Sequence, residues 1–461
     1  KLNILYCYIK ENLYGKISTI PLFNVLHLKR KKYQFIKLVY RTNICRRGET
    51  MSVKKMLFMV STIIVLTSRF WGINTSLSMR YFIMAIWDLY FMLSYFSYRE
   101  KTYKKYVIKN NFWLTIMPFV IFSIYTLIIW GIGSNAEFEN FIKLCSTLLY
   151  LILAYGYACT AFYLFKAEGI DFIFWSGVIS YMSGSVFYLI VSYGLNGLIS
   201  YIKSLITGET NTANFAMEVH DLTFAMGVFF LYYVFFENKN TKKHKIKIIV
   251  SLILIFMGLK RIELLALSGA ILVYYVLLKW GKKIQIRALV CTICATVISL
   301  VFIYIIDTGI LALLMSNLGI TDDGARLSFY LYSSKFYELG LGYVGTGWTW
   351  FSKYFFNLYL SHFRLNGGRI AASLHSDILT IYIEVGCIVF IIWMFWLFFV
   401  KPIRLTKKFG LKTGECVLLL TIYMFILYLT DNTLTYPDTQ MIFLLVPMIV
   451  SWVDNQQRIS E

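Results

Sequence analysis

One stretch of this chain combines side chains that could do chemistry in a spacing that could use them. Leu374-His375-Ser376-Asp377 runs on through Glu384-Val385-Gly386, placing a histidine, two acids and a glycine at the mouth of a hydrophobic helix. An imidazole titrates near neutrality, so His375 can accept or orient a hydroxyl proton. Helix geometry divides the acids. Asp377 and Glu384, seven residues apart, share a face, whereas Glu384 is nine residues from His375. That separation is about 13 Å along the axis and puts Glu384 on the opposite side. Glu384 is therefore expected to be a buried acid tying helices together, with His375 left to the reaction and Asp377 to a ligand.

A second candidate is the turn Lys260-Arg261-Ile262-Glu263. Only 31 residues separate Lys247 from Lys279, while two full membrane crossings need about 40. Both helices must be short, so Lys260 and Arg261 should sit below the membrane surface. A charge at that depth costs at least about 2.5 kcal/mol unless it faces water or a partner. A functional cavity is the expectation, with snorkelling as the alternative.

Several other patterns carry less. Glu218-Val219-His220-Asp221 offers potential ligands, but without a complementary cluster no metal is assigned; His220 and Asp221 are read as helix-capping or substrate-orienting groups. Gly340-Leu341-Gly342-Tyr343-Val344-Gly345 spells GxGxxG, yet it follows no strand of a nucleotide-binding fold, so a dinucleotide site is rejected. Cys291 and Cys294 lack a second pair of ligands and read as small side chains on an apolar helix. Asp88 is an acid in the middle of an apolar run, which keeps a proton-coupled transporter in view.

The elements that must position these residues follow from composition. With 58% hydrophobic residues, 15% charged residues and 5 prolines in 461 positions, the chain reads as an all-α polytopic integral membrane protein. Twelve crossings are expected, at 56–72, 79–97, 112–132, 141–165, 172–192, 220–236, 246–259, 262–278, 287–306, 375–400, 414–430 and 438–453. The net charge of +21 is concentrated before position 56 and in loops around 99–109, 239–247, 279–287 and 401–412. This alternation marks a topology with both termini cytoplasmic and argues against a nucleic-acid partner. Two outer segments are large: 193–219, where Tyr201, Ile202 and Leu205 suggest a helix along the membrane surface, and 307–374 between crossings nine and ten. Residues 1–50 are basic, broken in pattern and followed by Met51-Ser52-Val53-Lys54-Lys55. They are expected to be an upstream-translated extension, leaving 51–461 as a single transmembrane domain.

The short turn with Arg261, the loop holding Gly324-Ala325-Arg326, and the helix start from His375 to Gly386 together resemble the bacterial Wzy polysaccharide polymerases. These belong with the O-antigen ligases in one superfamily. The resemblance covers the architecture from Met51 onward, with its motif-like part between about 258 and 390. It implies a GT-C-like inner-membrane glycosyltransferase acting at the outer face of the bacterial cytoplasmic membrane, with no cofactor and no metal. The substrate would be an oligosaccharide on a polyprenyl diphosphate, with a chain-length regulator and a flippase as partners. His375 would activate the acceptor hydroxyl, while Arg261 and Arg326 would clamp the diphosphate, aided by Lys260; a guanidinium fork suits phosphate oxygens. Trp348 and Trp350 lie in an aromatic run that reads as an interfacial belt or as a platform for sugar rings. The rival readings are a ligase moving a finished glycan to another acceptor, and a polysaccharide flippase.

Overall fold

The computed structural model describes residues 52–67, 76–97, 102–133, 137–207, 220–237, 241–258, 260–280, 283–317, 326–365 and 368–460. The extension expected at 1–50 lies outside them. Lys1–Phe58 and Met59–Glu461 form separate compact units, and the second contains every residue of the site described below.

An apolar chain in a bilayer must satisfy its backbone internally, which leaves helices as its simplest solution. In order, the helices are α1 (Val53–Thr67), α2 (Ser76–Ser97), α3 (Tyr103–Ile132), α4 (Phe138–Phe165) and α5 (Glu168–Met182). A π-turn at Ser183–Phe187 leads into α6 (Tyr188–Thr207), followed by α7 (His220–Phe235), α8 (Lys242–Met257), α9 (Arg261–Trp280) and α10 (Ile284–Asp307). The polar segment that comes next carries α11 (Ile310–Asn317), α12 (Arg326–Ser333), α13 (Trp350–Leu360) and the strands β1 (Arg364–Leu365) and β2 (Gly368–Arg369). The strands pair antiparallel, Arg364 opposite Arg369. Then α14 (Asp377–Phe395) passes through a π-turn into α15 (Lys401–Phe409), and α16 (Leu411–Thr430) and α17 (Pro437–Ser460) complete the chain.

The described residues are thus overwhelmingly helical, and six stretches are long and apolar enough to cross a membrane: Tyr103–Ile132, Phe138–Phe165, Glu168–Lys203, Ile284–Asp307, Asp377–Phe409 and Leu411–Thr430. The last of these is α16, the most enclosed of the six. It packs against α9, α15 and α17, while α17 packs against α4 and α7. Polar ties run through this centre: Arg80 of α2 pairs with Asp438 of α17, both almost fully buried, and Tyr155 donates to Gln440 Oε1 at 3.0 Å.

Two local departures matter. First, within 193–219, where a helix along the membrane surface was expected, a kink at Gly194 divides α6, and the piece beyond it runs to Thr207. Its Tyr201 is buried, and the hydroxyl donates to the Met257 carbonyl at the end of α8 at 2.5 Å. Residues 208–219 lie outside the description.

Second, α14 is broken at Gly386, where φ is 74° and ψ 172°. The groups freed by the break are taken up by the loop before α13. Thr346 N–H donates to the Ile383 carbonyl at 3.1 Å and Gly347 N–H to the Glu384 carbonyl at 2.7 Å, while Cys387 N–H donates to the Tyr343 carbonyl at 3.0 Å. Tyr343 adds its hydroxyl to Ile383 O at 2.7 Å. The loop therefore closes a short ladder on a broken helix, which lets irregular backbone persist inside apolar surroundings. Glycine makes the approach possible: a Cβ on Gly345 would meet Glu384 O and Gly386 N at 2.5 Å, and one on Gly386 would meet the backbone of Tyr343 and Val344. The GxGxxG pattern supplies one of these close-contact glycines.

Candidate functional site

The break holds together one wall of a cavity of about 480 Å³. On α4, Lys143, Thr147 and Leu151 recur every fourth residue and turn one helix face toward it. Facing them are His375 and α14 residues Asp377, Thr380 and Glu384; Arg326 comes from the start of α12, Trp348, Thr349, Phe351 and Ser352 from around the start of α13, and Asp431, Asn432 and Tyr436 from the α16–α17 turn.

His375 precedes the helix. Ser376 is the N-cap, its side chain accepting from Leu379 N–H at 3.2 Å, so α14 opens at Asp377. His375 itself is held left-handed at φ 56°, a conformation that costs about 1–2 kcal/mol outside glycine. Its carbonyl accepts from the Tyr330 hydroxyl at 3.0 Å. Helical phase therefore does not extend back to His375, which lines the same cavity as Glu384.

The three carboxylates are each anchored by one oxygen. Asp377 Oδ2 accepts from Leu434 N–H at 2.7 Å, while its own N–H donates to the Asp431 carbonyl at 3.1 Å, stitching the start of α14 to the α16–α17 turn. Asp431 Oδ1 accepts from Asn432 N–H at 2.7 Å and from the Tyr436 hydroxyl at 3.1 Å. Glu384 Oε1 accepts from Ser352 N–H at 2.9 Å and Ser352 Oγ at 2.7 Å. Because Ser352 lies in the first turn of α13, Glu384 caps that helix from a neighbouring one. It thus ties the polar segment to the bundle, and Lys143 is near enough to interact with it electrostatically.

The structure gathers Arg326, His375, Asp377 and Trp348 around the cavity. The Trp348 ring is largely sequestered, 5.6 Å from Phe119 and 5.9 Å from Phe122 between ring centres, and Trp350 stacks on Tyr354 away from the lining. Lys260 and Arg261 sit elsewhere, at the start of α9, Lys260 buried and Arg261 exposed, with Glu263 fully buried one turn on. Neither Lys260 nor Arg261 lines the cavity. His220 and Asp221 open α7, but their side chains lie outside the description, as do Gly324 and Ala325. Among the described residues no cluster of three or more His, Cys, Asp or Glu is placed to hold a metal ion. Asp88 is buried and accepts from Thr160 Oγ1 at 3.2 Å, its carboxylate filling the space where Gly156 has no side chain.

Sequence reasoning had not singled out Lys143, Thr349, Ser352, Asp431, Asn432 or Tyr436. A signal existed for some of them: Lys143 and Asp431-Asn432 are polar groups at the ends of long apolar runs. The arrangement offers an imidazole, a guanidinium and an amine beside anchored carboxylates, all around one cavity with a largely apolar and aromatic lining. Such a set can transfer a proton and hold an anionic leaving group. No protein-family model and no curated protein sequence matches the chain.

Proposed function

We propose that this protein is a membrane glycosyltransferase that polymerises polyprenyl-diphosphate-linked oligosaccharide repeat units by inverting transfer at the outer face of a bacterial cytoplasmic membrane. The observation that carries the reading is the meeting of His375 and Arg326 in one cavity beside the start of α14. The alternation of basic loops supports a twelve-crossing topology with the 307–374 segment outside, where lipid-linked saccharides are delivered after export.

In the reaction, an acceptor sugar hydroxyl attacks the anomeric carbon of the growing chain while the bond from that carbon to the diphosphate oxygen breaks. His375 takes the hydroxyl proton, and Arg326 stabilises the negative charge gathering on the departing diphosphate. The anchored carboxylates hold the geometry: Asp377 fixes the start of α14 and Glu384 fixes α13. Arg261, which does not line the cavity, is assigned no part in the chemical step.

The experiment replaces His375 or Arg326 with alanine in the living cell and resolves its surface glycans on a gel. A polymerase gives single repeat units in place of a ladder. Full-length polymer retained on the lipid carrier would instead identify a ligase, and an unchanged ladder in both variants would reject the site.

A further inference from the structure

The cavity has two ends, and the end away from His375 holds features the transfer step leaves unused. Thr349 lines it and is held at φ 75°, a left-handed conformation that crowds a β-branched side chain. Its hydroxyl is buried and has no hydrogen-bond partner among the described residues, which adds a desolvation cost to the backbone strain. Beside it are Glu384, with Ser352 bound to one oxygen, and Lys143, half-buried on the cavity face of α4 with Thr147 one turn away. The charges of Lys143 and Glu384 offset each other, so this end does not select an anion. It presents a donor, an acceptor and hydroxyls against the aromatic rings of Phe351 and Phe355, a composition suited to a ring bearing several hydroxyl groups.

We propose that this end is a second saccharide subsite, seating a hydroxylated pyranose ring removed from the bond being formed. Lys143 Nζ donates to ring oxygens, Glu384 accepts from a ring hydroxyl, and the Thr349 hydroxyl gains the partner it lacks. Glu384 stands seven residues beyond Asp377, about 10 Å along α14, so the reacting sugar and its neighbour occupy the two ends of one groove. The strain at Thr349 and at His375 then marks both ends of the bound saccharide. This subsite rests on the glycosyl-transfer reading.

The test uses the full chain purified in detergent and the lipid-linked repeat unit extracted from cells carrying His375→Ala. Thr349→Gly is the decisive variant, because it removes the hydroxyl and relieves the backbone strain together. The subsite requires that it raise the thermal midpoint while raising KM by about tenfold, the scale of one lost hydrogen bond, with kcat little changed. Lys143→Met must raise KM in the same direction. A higher midpoint with unchanged KM would show that the hydroxyl meets only water, and a lower midpoint would show that it serves the fold; either overturns the subsite. If His375→Ala abolishes turnover while Thr349→Gly leaves KM untouched, only the subsite fails. If His375→Ala turns over like the wild type, the transfer reading fails with it.

Discussion

The Tyr330 hydroxyl donates to the backbone carbonyl of His375 at 3.0 Å. Tyr330 lies one helical turn after Arg326 on α12, so the helix that presents the guanidinium also holds the backbone of the imidazole. Burial pushes the Tyr330 phenol up to about 12, so its donor proton is present throughout the range in which a cell lives. The bond helps maintain the left-handed φ of His375, which the residue would not choose on its own.

Tyr330→Phe removes this donor but keeps the ring that packs edge-on against Phe302. The expected loss of stability is small, about 0.5–1.5 kcal/mol. The expected loss of polymerisation is larger, on the order of 10- to 100-fold, because the reacting group is displaced while its chemistry stays intact. Turnover of the extracted lipid-linked unit and thermal unfolding in detergent measure the two quantities separately. Equal turnover by both proteins would show that the bond does not position His375.

Gly386→Ala attacks the broken helix. The residue is held at φ 74°, and an added Cβ would meet the backbone of Tyr343 and Val344, so either the ladder to the loop opens or the helix shifts. A cost above about 2 kcal/mol is expected from the strained backbone and the hydrogen bonds lost with it. The released loop should also become cleavable by added protease around Gly340–Val344. A variant as stable and as resistant as the wild type would contradict close packing at this point.

Much of this arrangement could be read from residue types, but only along the chain. The described parts of the apolar runs chosen by length and hydropathy are helical almost throughout, and His375, Asp377, Arg326 and Trp348 lie around one cavity. Periodicity reports which residues share a face but not which face a neighbouring helix covers. Lys143 and Asp431, separated from His375 by long stretches of chain, reach the cavity only through the packing of α4 and the α16–α17 turn. Depth in the membrane likewise says nothing of lateral position, and Arg261 is not among the residues lining the cavity. Glu384 is the buried acid tying helices together that its place in an apolar run implied; only its phase relative to His375 was not legible, because His375 lies before the helix begins.

Glu384 provides a stability test that separates capping from charge. Glu384→Gln keeps a carbonyl oxygen able to accept from Ser352 N–H and Oγ, whereas Glu384→Leu leaves both donors unpaired at the first turn of α13. The leucine variant is expected to lose about 1–3 kcal/mol, and the glutamine variant less than half as much. Thermal unfolding of both proteins provides the measurement. Equal losses would mean that the interaction with Lys143, rather than the cap, accounts for the role of Glu384 in stability.

The pair formed by Arg80 of α2 and Asp438 of α17 makes a strong demand on the bundle, because both partners are almost fully buried. Removing one partner leaves the other charge in a medium that cannot solvate it. Arg80→Met or Asp438→Leu alone should therefore cost about 3–5 kcal/mol, while the double substitution should recover much of that loss, since two apolar side chains create no orphaned charge. Asp438 also lies two residues after Tyr436, whose hydroxyl donates to Asp431 in the cavity. Each single variant should accordingly shorten the glycan ladder by loosening the α16–α17 turn, and the double variant should restore part of its length. Unfolding midpoints and ladder lengths measured on the same three proteins test both expectations. A double variant no more stable than the weaker single one would show that the pair is not energetically coupled.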